Sequence, residues 1–159
     1  MSSRVLIVDD EPRMAESIAV ALGRRGHDCM VAGSGEAALQ RFSAQAADVV
    51  ITDLKMPGMS GLELLVRLGE IAPGVPVIVL TAHGDVPSAV DAMSRGAFHF
   101  LTKPFDNDEL RSLVARALEL QSLKHENRAL RRELREQGGA ELVAASASMT
   151  KLLGLIDRA

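Results

Sequence analysis

Short apolar runs alternate along the chain with longer segments in which apolar residues recur every three or four positions. The runs predict β-strands, and the segments with helical period predict amphipathic α-helices. This alternation is typical of βαβ units, and therefore of an α/β protein whose parallel sheet is covered by helices on both faces. The predicted strands are Val5–Val8, Asp28–Ala32, Val49–Thr52, Val77–Leu80 and Phe98–Leu101. The last two lack polar residues at alternate positions, so both are predicted to be buried on both faces.

A predicted helix follows each strand, and several of these helices carry clear start signals. Pro12 stands at the first position of the first helix, and Ser34 is a good N-cap for the second. The run Asp106–Glu109 is typical of a capping box at the start of the fifth. The predicted helices are Pro12–Arg25, a segment that begins after Ser34, Gly61–Ile71, Val86–Arg95 and residues 108–137.

The fifth helix is predicted to be unusually long, because no Gly or Pro interrupts residues 108–137. Two rows of its residues recur at heptad spacing, and charges of opposite sign flank them, so that Glu119 can meet Lys124 on a parallel partner helix. Glu126 and Arg131 are related in the same way. The first row is Leu113, Leu120, Asn127 and Leu134, and the second is Arg116, Leu123 and Leu130. We therefore predict a coiled-coil linker that makes a homodimer; a single solvated helix with intrahelical ion pairs is the alternative.

The composition of the 159 residues excludes several classes of function. The net charge is −3, and Lys and Arg are spread along the chain without a basic arm, so we predict no direct contact with nucleic acid. The single cysteine, Cys29, cannot form an internal disulfide, which fits a reducing cytoplasm. The first apolar stretch, Val5–Val8, is far too short for a signal peptide or a membrane span. We expect a cytoplasmic protein without a membrane partner.

Carboxylates follow two of the predicted strands. Asp9 and Asp10 come directly after the first strand, and Asp53 comes directly after the third. Because the carboxyl ends of parallel strands meet at one edge of a sheet, we expect these side chains to lie close together. Like charges gathered in this way need a cation, and Mg²⁺ binds carboxylate oxygens together with phosphate. The sequence therefore predicts an Mg²⁺ site and phosphoryl chemistry.

Two further residues of suitable type end neighbouring strands at the same edge. Thr81 follows the fourth strand and Lys103 follows the fifth. In transfer of a phosphoryl group to a carboxylate, Asp53 is the candidate nucleophile, while Asp10 and Asp53 are candidate metal ligands. Asp9 is expected to act on the metal through bound water. The Thr81 hydroxyl and the Lys103 ammonium are candidates to bind the phosphoryl oxygens.

Each of these residues alone has a simpler explanation. The acids can complement the N-terminus of a helix, and Thr81 can be a turn residue. The pair Lys103-Pro104 is typical of a turn, with a cis peptide bond as one option. The joint placement at the ends of four strands favours a functional site over coincidence.

Two other functions fit the same residues less well. A flavin-binding protein is disfavoured, because Asp9 and Asp10 would repel the flavin phosphate. A phosphatase with an aspartyl-phosphate intermediate would need a general acid or base near its nucleophile, and Lys55 is a poor candidate. A site that accepts a phosphoryl group is the better interpretation.

Four segments together resemble the receiver domain of bacterial two-component response regulators. These are Val8–Pro12, Thr52–Gly61, Leu80–Ala82 and Leu101–Phe105. The resemblance covers about residues 4–120 and implies a receiver domain over 1–120, with a flavodoxin-like (CheY-like) five-stranded, doubly wound parallel sheet. It implies that a sensor histidine kinase phosphorylates Asp53, so the domain is a phosphoacceptor and not an enzyme. A receiver-like module that is never phosphorylated gains no support from the complete set of acids, Thr and Lys.

The same resemblance implies two roles that spacing alone does not give. The backbone carbonyl of Lys55 would be the third protein ligand of Mg²⁺. Phe100 would be the aromatic switch residue, acting with Thr81. Phe100 lacks the hydroxyl of the tyrosine that is common there, so switching would depend on ring packing.

A finer resemblance is to regulators of the nitrogen-regulation and dicarboxylate-transport type. It depends on Thr81–Pro87, Ala89-Val90, Gly96–Leu101 and Glu126–Leu130. In that family a receiver and a helical linker precede an AAA+ ATPase that remodels sigma-54 RNA polymerase. Residues 140–159 resemble the start of such an ATPase, and no G-x-x-x-x-G-K-[ST] loop follows, so the chain is expected to be an N-terminal fragment. The resemblance leaves open whether phosphorylation relieves repression of the ATPase or drives its assembly.

Overall fold

Strands and helices alternate along the chain as the apolar pattern predicts. The structure is a computed structural model that describes residues 3–82 and 84–136, apart from the side chains of residues 124–129 and 131–136. Within these ranges the strands are β1 (Arg4–Val8), β2 (Asp28–Ala32), β3 (Val49–Asp53), β4 (Val77–Thr81) and β5 (His99–Thr102). The helices are α1 (Pro12–Gly23), α2 (Gly35–Ala44), α3 (Gly61–Ile71), α4 (Val86–Ser94) and α5 (Asn107–Glu136). The predicted start of an ATPase at 140–159 lies outside the described residues.

All five strands belong to one parallel sheet in the order β2-β1-β3-β4-β5. The order reverses at β1, because the chain adds β2 on one side of it and β3 on the other. In register, Asp53 lies beside Leu80, and Thr81 lies beside Thr102. The last residues of the strands therefore share one edge of the sheet, at the position where doubly wound proteins bind ligands. The predicted five-stranded, doubly wound sheet is confirmed.

Helices cover the sheet on both faces, and each face has its own apolar core. Helices α1 and α5 cover one face, and α2, α3 and α4 cover the other. Side chains of β1 alternate between the two cores, since Leu6 and Val8 join one while Val5 and Ile7 join the other. Strands buried on both faces have no solvent side for polar residues, which explains their continuous apolar runs.

The fifth strand corrects one prediction. All of β4 is buried, as predicted, but β5 is one of the two edge strands, and His99 and Phe100 on it are only half-buried. Its apolar sequence therefore does not indicate burial on both faces. The element begins at His99, one residue later than predicted, and α1 ends at Gly23, two residues before Arg25.

Hydroxyl caps define where two helices begin. The Ser34 Oγ accepts a hydrogen bond from Ala37 N at 3.1 Å, which confirms Ser34 as the N-cap of α2. The Ser60 Oγ accepts from Glu63 N at 3.2 Å and caps α3 in the same way. These caps determine where the connections after β2 and β3 end.

The burial of leucine side chains changes along the long fifth helix. The chain divides into two compact units, Met1–Gln121 and Ser122–Ala159. In the first unit Leu113 is 6% exposed and belongs to the apolar core, so its predicted place in a coiled-coil seam is wrong. In the second unit Leu123 and Leu130 are 56% and 58% exposed. The side chains of the predicted seam residues Asn127 and Leu134 lie outside the described part, and the coiled coil stays a prediction.

None of the helices in the described ranges combines the length and apolar character that crossing a bilayer requires.

Candidate functional site

Three carboxylates meet at the edge of the sheet where the strands end. Asp9 and Asp10 follow β1, Asp53 ends β3, and one carboxylate oxygen from each lies within 4.8 Å of the other two. Asp9 is buried, Asp53 is half-buried and Asp10 is exposed. The structure thus brings together the three acids that the sequence placed at one edge. Three hard oxygen donors at this separation fit the coordination that Mg²⁺ prefers.

Asp9 is the most deeply buried acid of the cluster. Its side chain is fully buried, and its Oδ1 accepts a hydrogen bond from Glu11 N at 2.9 Å. Burial raises the pKa of Asp9 above its ordinary value, although the Glu11 N–H and the nearby Lys103 both favour the charged form. The negative charge at this position is therefore held against a desolvation penalty.

Lys103 brings a positive charge into the acid cluster. Its Nζ lies 3.1 Å from Asp53 Oδ2 and 3.5 Å from Asp9 Oδ2. Burial disfavours the ammonium, but the hydrogen bond and charge of Asp53, together with the charge of Asp9, outweigh it and raise the pKa of Lys103. The lysine is therefore protonated at neutral pH. Three carboxylates and one ammonium leave two negative charges, which one divalent cation balances.

The backbone around Lys103 places the ammonium. Lys103 N donates to Thr81 O at 2.8 Å, which attaches the segment after β5 to the end of β4. The Lys103-Pro104 peptide bond is cis. Thr81 is 2% exposed, and its hydroxyl donates to Leu101 O at 3.4 Å. Thr81 thus lies at the predicted edge, but its hydroxyl is directed at β5, a direction that no pattern in the sequence indicates.

Phe100 lies on the edge strand β5 and packs against the core formed with α2, α3 and α4. Its ring is tilted by 36° relative to that of His99, with 5.7 Å between ring centroids. The ring is half-buried. Its role as a switch stays a prediction.

The loop from Leu54 to Ser60 connects Asp53 to α3, and a glycine lets its two ends touch. Gly61 N donates to Leu54 O at 2.8 Å. A Cβ at Gly61 would lie 2.0 Å from Asp53 O and 2.8 Å from Leu54 Cα, so any side chain there would collide with the backbone. This role of Gly61 is not predictable from the sequence, since a glycine after a capping serine also fits an ordinary helix start.

The side chain of Lys55 makes an ion pair that is not predictable from the sequence. Its Nζ lies 3.2 Å from Asp85 Oδ2, at the N-cap position of α4. Ser88 and, next in importance, Lys55 lower the pKa of Asp85 below its ordinary value. The Lys55 side chain is 76% exposed, so the ion pair contributes little to stability. It nevertheless connects the loop after the phosphoacceptor candidate to the start of α4.

The doubly wound sheet and the lysine-bridged acid cluster at its switch point define a receiver-type α/β domain. The sequence model of the family described as "Response regulator receiver domain" matches residues 5–115. The chain therefore belongs to the response regulator receiver family.

Relatives within this family are transcriptional regulators. The chain is 41% identical over 155 residues to the C4-dicarboxylate transport transcriptional regulatory protein DctD of Pseudomonas aeruginosa, covering 94% of the chain and 33% of that protein. It is 40% identical over 114 residues to the DNA-binding transcriptional regulator NtrC of Escherichia coli K12, covering 72% of the chain and 24% of that protein. The solved structure of NtrX from Brucella abortus in complex with ADP aligns with a TM-score of 0.78 and 35% identity, covering 82% of the chain and 30% of NtrX. The chain thus spans a third or less of each of these proteins.

Proposed function

We propose that this chain is a phosphorylation-dependent receiver whose Asp53 accepts a phosphoryl group from the phosphohistidine of a sensor histidine kinase. A carboxylate oxygen of Asp53 attacks phosphorus, the bond from phosphorus to the histidine nitrogen breaks, and the released imidazole takes up a proton. The observation that carries the proposal is the position of the Lys103 ammonium, 3.1 Å from Asp53 within a cluster of three acids. A cation already in place lowers the barrier by balancing charge on the incoming phosphoryl oxygens.

In the proposed metal site, Asp10 and Asp53 supply carboxylate oxygens and Lys55 supplies its backbone carbonyl. Asp9, which is buried, acts through a bound water. When bound, Mg²⁺ neutralises phosphoryl oxygens and aligns them for in-line attack. Lys103 binds one phosphoryl oxygen, and the Thr81 hydroxyl binds another after rotating away from Leu101.

The basic test is phosphorylation by a small phosphodonor. Acetyl phosphate with Mg²⁺ is expected to add the mass of one phosphoryl group to the chain, and chelation of Mg²⁺ is expected to prevent it. Intact-mass measurement with peptide mapping gives both the amount and the position. No incorporation, or equal incorporation without Mg²⁺, contradicts the proposal.

Asp10→Asn tests the metal site separately from the acceptor. The change removes one of only two proposed carboxylate ligands, so Mg²⁺ affinity is expected to fall by roughly tenfold or more. Calorimetric titration measures it, with Glu11→Gln as the control, because Glu11 is an adjacent exposed acid outside the proposed ligand set. The control is expected to keep Mg²⁺ affinity within about twofold, because water and salt screen an exposed charge. Equal affinities of Asp10→Asn and the parent chain contradict the assigned role of Asp10.

We propose that phosphorylation changes the face formed by α4, β5 and α5, with Thr81 and Phe100 as the moving residues. In the complete protein this change controls the activity or assembly of an AAA+ domain that acts on sigma-54 RNA polymerase. The descriptions of DctD and NtrC as transcriptional regulators support an output in transcription. We propose that the protein acts in the cytoplasm and that this chain itself does not contact DNA.

The proposed homodimer combines this receiver face with the predicted coiled coil of the linker. The exposure of Leu123 and Leu130 in the single chain supports it, because a partner helix would cover both. The double change Leu123→Glu and Leu130→Glu places like charges opposite each other and is expected to convert dimers to monomers at tens of micromolar. Sedimentation measures the oligomeric state of the parent chain and of the variant. Undiminished phosphorylation by acetyl phosphate shows that the variant is folded. A monomeric parent chain, or a variant as dimeric as the parent, contradicts this seam.

A further inference from the structure

The loop that follows Asp53 is held by a residue of α2, a helix that carries none of the acids. Met59 N donates a hydrogen bond to Glu36 Oε1 at 3.3 Å, across 23 positions of the sequence. Met59 is buried within the core, whereas Glu36 lies exposed in the first turn of α2. The hydrogen bond thus joins a surface carboxylate to the backbone of the loop.

Two glycines let α2 and the loop approach each other closely. A Cβ at Gly35 would lie between 2.8 and 2.9 Å from the Sδ, Cβ and Cγ of Met59, so the first turn of α2 rests directly on that side chain. Gly58 has a φ of +77°, which only glycine adopts readily, and this conformation leads the chain into Met59. A Cβ at Gly58 would lie 3.4 Å from Glu36 Oε1. The contact therefore depends on close packing as well as on one hydrogen bond.

Two backbone hydrogen bonds hold Leu54, which lies on the opposite side of Lys55 from Met59. Leu54 N donates to Leu80 O at 3.1 Å, and Gly61 N donates to Leu54 O at 2.8 Å. Lys55 lies between the anchored Leu54 and the anchored Met59. The direction of its carbonyl is therefore set by both ends of this segment, and Glu36 holds one of them.

We propose that Glu36 is a positioning residue for the metal site, which aims the Lys55 carbonyl by accepting the Met59 N–H. The inference rests on the proposed function, because it requires Mg²⁺ at this site. A purely structural role would be the favourable interaction of an acid with the N-terminus of α2. That role changes the free energy of unfolding but leaves the metal affinity of the folded chain unchanged.

The test is an Mg²⁺ titration of the 159-residue chain and its variants, at a temperature where all are folded. Glu36→Ala removes the acceptor and is expected to weaken Mg²⁺ binding by ~3–10-fold, the range of one hydrogen bond. Glu36→Gln removes the charge but keeps a side-chain oxygen, so it is expected to stay within about twofold of the parent. Glu63→Ala is the matched control, since Glu63 is an exposed acid in the first turn of α3; its Mg²⁺ affinity is also expected to stay within about twofold. Faster hydrogen exchange of the Met59 amide in Glu36→Ala provides an independent readout.

Each contrary result overturns a defined part of the inference. Parent-like Mg²⁺ affinity in Glu36→Ala removes the positioning role while leaving the metal site intact. Equal weakening in Glu36→Gln and Glu36→Ala shows an effect of charge and not of the hydrogen bond, and equal weakening in Glu63→Ala shows the same. Absence of Mg²⁺ binding by the parent chain overturns both the proposed metal site and the role of Glu36.

Discussion

Asp53→Asn is expected to abolish phosphorylation by acetyl phosphate, because a carboxamide does not form the acyl phosphate that a carboxylate forms. The substitution keeps the shape of the side chain, and Asn still accepts a hydrogen bond from Lys103. The fold and the metal-free geometry are therefore expected to survive. Asp53 is also a proposed metal ligand, so the comparison with Asp10→Asn, which keeps the nucleophile, separates loss of the acceptor from loss of the metal. Intact mass after incubation with acetyl phosphate and Mg²⁺ measures the labelling of both variants.

Asp28→Asn is the control for this experiment. Asp28 begins β2, at the end of its strand remote from the acid cluster, and its side chain is 56% exposed. Its ion pair with Arg4, at 3.8 Å, is a surface contact that contributes little to stability. Labelling of this variant is expected to equal that of the parent chain. Undiminished labelling of Asp53→Asn would move the acceptor to another residue and remove the basis of the proposed function.

Gly61→Ala is expected to damage the fold and the site together. The new Cβ would lie 2.0 Å from Asp53 O, and backbone atoms do not move aside as a flexible side chain can. The start of α3 or the end of β3 must shift, at a cost of about 3 kcal/mol in the free energy of unfolding. Because the atom displaced belongs to Asp53, phosphorylation of the folded fraction is expected to slow as well. Denaturant unfolding and labelling kinetics measure the two effects.

Gly69→Ala is the matched control within the same helix. A Cβ at Gly69 meets nothing within 4 Å, so the change is expected to stabilise the chain by roughly 0.5–1 kcal/mol through the backbone entropy of the unfolded state. The two substitutions add the same methyl group and differ only in what it touches. If Gly61→Ala were as stable as Gly69→Ala, the close contact between α3 and the end of β3 would be contradicted.

The apolar pattern predicted the sheet well where burial is complete and less well at the edge. Strand β4 is apolar because both of its faces are covered, and it is entirely buried. Strand β5 has a similar composition, yet it lies at the edge, since position in a sheet depends on topology and not on local sequence. The pattern failed for Leu113 for a related reason. Heptad spacing and the spacing of a core-facing helix coincide over one or two turns, so a row of leucines does not show which surface it meets.

The acids and the lysine of the site were predictable because parallel strands bring their carboxyl ends to one edge. A residue directly after a strand therefore has a known location, and Asp9, Asp10 and Asp53 are found together. Contacts between separate loops have no such rule. The hydrogen bond from Met59 N to Glu36 and the ion pair between Lys55 and Asp85 depend on how two connections fold against each other. No periodicity in the sequence records that arrangement.

The burial of Asp9 implies a conflict between activity and stability at this edge of the sheet. Its native pKa is raised above the ordinary 3.8, so the unfolded chain gives up this proton first as the pH rises. The free energy of unfolding therefore falls as the pH rises from 3.8 through the native pKa of Asp9. Above that range the loss of stability caused by Asp9 is constant. The charged form of Asp9 thus weakens the fold that buries it. A cation that binds the folded state alone restores stability, by an amount that grows with the logarithm of its concentration above the dissociation constant, so Mg²⁺ would be a partner in folding as well as in signalling.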